Sequence, residues 1–251
     1  MSGHSHWATV KRRKGAADAK KGKIFTRLAR EIVLAAGERG GDPTMNVRLE
    51  LAIDKAKAAN MPKDSIERAI KRGTGEDKAG ADFEEMLYEG YAANGVALMI
   101  ECVTENRNRT VAELRHVLTR AGGNMADPGS VSWQFERVTY FAIPADIHDF
   151  DTIFELAVEA GADDIQQDDD LIEIFGAVNS YQAIADHLTQ ANIIPEDSGI
   201  RFLPKQEISL DVDKTIKVMN TIETLEDLDD VQNIYSNLNI TEEAIQAMET
   251  E

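Results

Sequence analysis

The 251-residue sequence predicts an α+β protein: an N-terminal three-helix domain followed by two α/β domains. Three observations lead there. Apolar residues recur at helical spacing between residues 24 and 73, the period changes to the alternation of strands beyond Asp82, and strand and helix patterns follow a fixed order from Tyr140 to Leu203. At 43% hydrophobic and 29% charged residues, the chain can bury the cores of two or three compact domains.

The first 23 residues, MSGHSHWATVKRRKGAADAKKGK, are polar, basic and punctuated by glycine, the composition of an arm that orders only on a partner. Ile24, Phe25, Leu28, Ile32 and Val33 then mark one face of a first helix, which Gly37, Gly40 and Gly41 stop. Asp42 before Pro43 reads as the N-cap and first turn of a second helix, with Leu49, Ile53 and Ala56 on its inner face. Pro62 opens a third, which buries Ile66, Ala69 and Ile70 and ends at Gly73 as a left-handed C-cap. Thr74 to Asp82 is a polar, glycine-containing connection and a domain boundary.

Strands are expected near Glu84–Tyr91 and Val96–Thr104, and across Val131, Trp133 and Phe135. A helix lies between them from about Val111 to Ala121, opened by a Thr110/Glu113 capping box. From Tyr140 the order is strand, helix, strand, strand, helix, strand: residues 140–143, 152–160, 164–167, 171–175, 181–191 and 200–203. That is the split βαβ order of a ferredoxin-like domain. A strand at Ile208, Leu210 and Val212, a helix through Ile216, Met219, Ile222 and Leu225, and a strand at Val231–Tyr235 follow. This βαβ tail has too little surface to fold alone, so it is expected to pair with the sheet before residue 138. The expected domains are residues 1–80 (basic arm and helices), 81–138 with 205–240 (a discontinuous α/β domain), 139–204 (an inserted ferredoxin-like domain) and 241–251 (an acidic C-terminal segment).

Charge is distributed unevenly. Residues 1–80 hold 18 Lys and Arg against 10 Asp and Glu, a net +8, whereas residues 81–251 hold 9 against 35, a net −26, giving −18 for the chain. A basic segment joined to an acidic body is the electrostatic footprint of a polyanion-binding end whose orientation the rest of the molecule helps to set. No apolar run has the length of a membrane helix and no secretory signal is expected. Cys102, the single cysteine, shares a strand face with Val96, Leu98 and Ile100 and reads as a buried hydrophobe, fitting a cytoplasmic protein without disulfides.

Motifs for catalysis are incomplete. Gly22-Lys23 has the ending of a phosphate-binding loop, but Ala17 stands where its first glycine is required and Ile24 where Ser or Thr would hold magnesium. Ser130 lacks the second flanking glycine of a nucleophile elbow. Asp168–Asp170 reads as a solvated turn, and His116 and His187 stand alone on helices. With Met1 removed, Ser2-Gly3-His4 offers four nitrogens of the kind that bind Cu(II) or Ni(II), but an incidental histidine in a flexible arm is the stronger explanation. No enzyme activity, cofactor, metal or small-molecule substrate is expected.

The basic clusters are more informative. Trp7 sits among Lys11, Arg12, Arg13, Lys14, Lys20, Lys21 and Lys23, pairing phosphate-neutralising charges with a ring able to stack on a base. On the third helix, with Ile66 set to zero, Lys71, Arg68 and Arg72 fall at about 140°, 200° and 240°, away from Ala69 and Ile70, so this face can follow a phosphate backbone. Arg107 and Arg109, in Asn106-Arg107-Asn108-Arg109, form a further candidate contact for nucleic acid or another partner at a helix N-terminus.

The blocks GHSHWATVKRRKGAADAKKGKIFTRLAREI, GGDPTMNVRLELAIDKAKAANMPKDSIERAIKRGTGE, ECVTENRNRTVAELRHVL and GSVSWQFER resemble the YebC family, which includes the mitochondrial translational activator of cytochrome oxidase. The resemblance covers most of the chain in order. It implies a helical N-terminal domain, two α/β domains and no catalysis; bacterial members are described as DNA-binding transcriptional regulators, and others act at the ribosome. Departures are His6 where lysine is usual and Ala92-Ala93-Asn94 where Gly-Pro-Gly is frequent, which brings the shape of that hairpin into question. DNA and ribosomal RNA both remain open as the partner.

Overall fold

The computed structural model describes residues 18–77, 83–167 and 170–249. In chain order the elements begin α1 (Asp18–Arg39), α2 (Val47–Ala58), α3 (Lys63–Gly73), β1 (Glu84–Tyr91), β2 (Ala97–Thr104), α4 (Arg107–Arg120), β3 (Asn124–Ala126) and β4 (Phe135–Pro144). They continue with α5 (Phe150–Glu159), β5 (Asp164–Gln167), β6 (Leu171–Gly176), α6 (Tyr181–Gln190), β7 (Asp197–Pro204), α7 (Val212–Glu226), β8 (Val231–Ser236) and α8 (Glu242–Glu249). The fold is thus mixed, with helices first and two four-stranded sheets after them. Among the described residues one compact unit takes 18–23, 83–136 and 202–249, and the other takes 24–77, 137–167 and 170–201.

In the second unit, Ile32, Ala35 and Ala36 of α1 pack on Leu49, Ala52, Ile53 and Ala56 of α2 and on Ile66 and Ala69 of α3. Asp42 caps a short 3-10 turn over Pro43–Met45, and Asn46, four residues on, caps α2. Asn46 wins because it serves both sides. Its Oδ1 accepts from Leu49 N at 3.1 Å while its buried Nδ2 donates to the carbonyls of Ala35 and Gly40 at 2.7 and 2.9 Å, closing the end of α1 onto the start of α2. Gly73 is the last helical residue of α3 rather than its left-handed cap, and the positive φ of +75° belongs to Gly75. Glycine is required at 73 for proximity: a Cβ there would stand 2.3 Å from the Val33 carbonyl oxygen and 2.8 Å from Ala36 Cβ.

The sheet ordered β5-β6-β4-β7, with β4 and β5 both antiparallel to β6, has the strand order of a ferredoxin-like domain. Its core gathers Phe141, Ile143, Ile172 and Ile174 from the strands with Ile153 and Ala157 of α5 and Ile184, Ala185 and Leu188 of α6. Leu51 of α2 joins this core, which ties the helical residues and residues 137–201 into one unit. The tie is also ionic. Lys55 Nζ lies 3.0 Å from Asp197 Oδ1, 3.5 Å from Glu31 Oε1 and 2.7 Å from the Ser198 carbonyl, and Arg201 pairs with Asp197 while its guanidinium lies 3.8 Å above the Tyr140 ring. Burial alone would raise the Asp197 carboxyl, but Arg201 and Lys55 outweigh it and hold it at about 2.

In the first unit the sheet runs β3-β1-β2-β8 with every pair antiparallel. Strand β8 pairs with β2, so the stretches before residue 127 and after residue 230 share one sheet. One face packs Leu98, Ile100 and Cys102 against Leu114 and Leu118 of α4 and Val218, Met219, Ile222 and Leu225 of α7. The other face packs Ala97, Met99 and Tyr235 against Val131, Phe135 and Phe202. The β1–β2 turn closes without Gly-Pro-Gly: Asn94 and Gly95 take the left-handed region at φ +64° and +78°, and the register Tyr91↔Ala97 is intact.

Four expectations differ from what the chain does here. Helix α4 starts at Arg107, not Val111, because Asn106 caps it and accepts from Arg109 N at 3.1 Å; the Thr110 hydroxyl, expected in a capping box, is turned to Thr104 and Asp230. Residues 132–134 form a 3-10 turn and the strand begins at Phe135. Of Ile208, Leu210 and Val212, only Ile208 makes a bridge, to Leu238, since Asp211 caps α7 and Val212 is already helical. The acidic segment after residue 240 is helical in α8 and buries Ile245 and Met248 in the first unit's core.

Candidate nucleic-acid interface

Trp7, Lys11, Arg12, Arg13 and Lys14 lie outside the described residues, as do Ser2-Gly3-His4, Asp168 and Asp169. Lys20 and Lys21 belong to α1, which is described from Asp18, five residues before the end expected for the arm. Lys23, also on α1, donates from Nζ to Asp227 Oδ1 at 3.0 Å and to the Asp227 carbonyl at 2.9 Å, with both side chains exposed. Such a pair is weak in water, so it leaves Lys23 exchangeable toward a phosphate.

Helix α3 presents the face that its sequence implies, with one adjustment. Ile66 and Ala69 are buried, Arg68 and Lys71 exposed, and Arg72 half-buried, because Arg72 stands closer to the Ala69 side of the helix. Arg68 Nε and Nη2 donate to the Asp64 carbonyl and to Ser65 Oγ, both at 3.1 Å, which sets the guanidinium along the helix without neutralising it. Other cations of the helical segment are matched by acids: Arg48 by Glu38 at 2.6 Å, Lys57 by Asp54 at 2.8 Å, Lys63 by Glu67 at 3.7 Å. Among the described residues, Arg68 and Lys71 have no carboxylate within ion-pair distance, so net positive charge concentrates on this face of α3.

Arg107 and Arg109 have uses inside the fold. Arg107 Nε pairs with Glu84 on the surface. Arg109 Nη2 reaches both oxygens of Asp230 at 3.0 Å, and that carboxylate also accepts from Thr104 Oγ1 at 3.0 Å and Thr110 Oγ1 at 2.8 Å. Asp230 is 2% exposed and Arg109 43% exposed, so the arginine supplies the counter-charge that a buried carboxylate requires. Burial would raise the Asp230 carboxyl; Arg109 and the two threonines outweigh it and keep it below the usual carboxylate range. Arg109 therefore meets a need of the fold, and its exposed side-chain atoms leave room for the partner contact expected of Arg107 and Arg109.

Sequence reasoning passed over two arrangements. Lys55 carries no motif, and its buried contacts lie 24 and 143 residues away at Glu31 and Ser198. Trp133, read as a strand residue, is 68% exposed on a loop braced from below. The Glu89 carboxylate accepts from the backbone N–H of Gly129, Val131 and Ser132 at 2.7, 2.5 and 3.0 Å. Pro128-Gly129 just before it, with Gly129 at φ +88°, is the turn signal that would have ended the strand pattern.

His116 is exposed on α4, and among the described residues no group of three or more His, Cys, Asp or Glu is placed to hold a metal ion. No described helix is long and apolar enough to cross a membrane.

Residues 5–76 match the model of the TACO1/YebC protein N-terminal domain, and residues 83–238 match that of the TACO1/YebC second and third domain. A protein of Acidithiobacillus ferrooxidans named "probable transcriptional regulatory protein" is 48% identical over 249 residues, covering 99% of both chains. One of the same name from Geotalea uraniireducens is 46% identical over 248 residues, 99% of this chain and all of that one. A crystal structure of a conserved hypothetical protein from Aquifex aeolicus superposes with a TM-score of 0.82 at 41% identity, covering 90% of this chain and 93% of that one. With both family models matched in order and relatives aligned over the whole length, the chain belongs to the TACO1/YebC family.

Proposed function

We propose that this chain is a non-enzymatic, cytoplasmic regulator that binds DNA through its basic N-terminal residues, with phosphate contacts from Lys11, Arg12, Arg13, Lys14, Lys20, Lys21 and Lys23, stacking by Trp7, and a second row from Arg68, Lys71 and Arg72. The observation that carries the reading is the exposed pair Arg68 and Lys71 on α3, neither with a carboxylate within ion-pair distance among the described residues, within a segment of net charge +8 attached to a remainder of −26. Phosphate contacts position a protein on nucleic acid and supply affinity that falls with salt. The names of the relatives support regulation of transcription as the setting.

One observation favours RNA at the ribosome as the second reading. Besides Arg68 and Lys71, the exposed residues of α3 include Lys63, Asp64 and Glu67, with no Asn or Gln aimed outward to read base edges, so this helix is suited to a backbone and its shape. Replacing Lys11, Arg12, Arg13 and Lys14 by alanine should weaken binding to unrelated sequences alike and flatten the log–log salt dependence by about four. An unchanged affinity and slope on both duplex DNA and structured RNA removes the N-terminus as the binding surface. Crosslinking in growing cells, with sequencing of bound DNA and RNA together, separates the two readings by enrichment of promoters or of ribosomal RNA.

A further inference from the structure

The loop from Asp127 to Gln134 is over-determined for a surface connection in the first unit. Glu89, 7% exposed, holds three of its backbone N–H groups; Ser130 N donates to the Asp127 carbonyl at 3.0 Å, and Tyr91 Oη donates to the Ser130 carbonyl at 3.2 Å. Val131 and Phe135 point inward and are 0% and 4% exposed. What this bracing presents outward is one indole. The Trp133 ring nitrogen already donates to the Ser130 carbonyl at 2.9 Å, which fixes the ring and leaves its faces as the available chemistry. Lys205, one of nine Lys and Arg in residues 81–251, donates from Nζ to the Trp133 carbonyl at 3.1 Å and has no carboxylate partner among the described residues.

We infer that Trp133 and Lys205 form a second nucleic-acid contact, in which an unpaired base stacks on the indole and the lysine meets a flanking phosphate. The inference rests on the nucleic-acid reading above but places the contact in the acidic part of the chain. A flat aromatic face with a cation at its base is how single strands are held without regard to sequence. An apolar protein partner fits less well, because the residues that flank the ring in sequence, Ser130, Ser132 and Gln134, are polar. Duplex bases are already stacked, so the contact selects unpaired nucleotides.

The test uses the full chain carrying Trp7→Phe, so that the fluorescence reports Trp133, titrated with an oligothymidylate of about 12 nucleotides and with the matching duplex. Quenching by the single strand is expected. Adding Trp133→Ala should weaken the single strand about tenfold, within the range for losing one stacked base, leave the duplex unchanged, and be largely rescued by Trp133→Phe. Lys205→Gln should weaken the single strand and lower its salt slope by about one. The ring is exposed, so unchanged melting temperatures of the variants should accompany these losses. Equal losses on single strand and duplex, or no quenching with unchanged affinity in Trp133→Ala, overturn the inference; the second outcome reassigns the ring to a protein partner. If the chain with both tryptophans in place binds neither probe, the nucleic-acid reading itself fails. If the Lys11–Lys14 variant weakens both probes while Trp133→Ala weakens neither, that reading stands and this inference alone falls.

Discussion

Asp230→Ala is expected to destabilise the first unit strongly, and the geometry gives the size. The carboxylate is 2% exposed and accepts from Arg109 and from the hydroxyls of Thr104 and Thr110. Each hydrogen bond to a charged acceptor contributes about 1.5–3 kcal/mol, but the three donors share one anion and are not additive. Removing it takes an acceptor from two buried hydroxyls, which keep only each other and the Asn106 backbone, and leaves Arg109, still 43% exposed, to be solvated by water. A loss of about 3–4 kcal/mol follows, at the lower end for a broken buried pair because the cation keeps access to solvent. Urea denaturation followed by circular dichroism at pH 7 measures it. The double-mutant cycle with Thr110→Val should show coupling of about 1 kcal/mol or more. Since the folded-state carboxyl lies below its unfolded value, the contribution is present above the usual carboxylate range and lost as pH falls through the folded value. A cost below about 1 kcal/mol for Asp230→Ala, or no coupling to Thr110, would refute the account of Arg109 as an internal counter-ion.

Two further outcomes separate local from tertiary causes. Gly73→Ala should cost about 2–3 kcal/mol in thermal or urea melts despite alanine's better helix propensity, because its Cβ meets the Val33 backbone, whereas Gly75→Ala, in open space at φ +75°, should cost about 1 kcal/mol from backbone strain; equal small effects would contradict the packing explanation. Lys55→Met should lower stability at pH 7 by about 2 kcal/mol, less than for a fully dehydrated pair because the Asp197 side chain is 45% exposed. Asp197 is held at about 2, so its stabilisation is complete above the ordinary carboxylate value and disappears toward pH 2; removing Lys55 should move the acid-unfolding midpoint upward, and an unmoved midpoint would count against the pairing.

Much of the architecture was legible along the chain because its causes are short-range. The six elements between residues 135 and 204 follow from alternation and helical spacing, and the split βαβ order implies the observed sheet order β5-β6-β4-β7. The buried face of α3, and with it the outward position of Arg68 and Lys71, needs only 100° per residue. The resemblance carried by the N-terminal blocks agrees with the family that the whole chain matches.

What sequence by itself determined is therefore the class of fold, the order of its elements, the family and the bipolar charge. Only tertiary structure decided the roles of single residues. Asn46 displaced an equally plausible cap because its amide also reaches Ala35 and Gly40, Asn106 caps α4 while the Thr110 hydroxyl serves Asp230, Gly73 answers to the backbone of α1, and Trp133 is turned out because Glu89, 40 to 43 residues earlier, takes up the loop's N–H groups. Arg109 and Asp230, 121 residues apart, meet because β8 pairs beside β2. Propensity and periodicity act over a few residues, whereas a buried charge or a close backbone approach finds its partner only once distant segments have packed, and that partner fixes which of several locally reasonable roles a side chain takes.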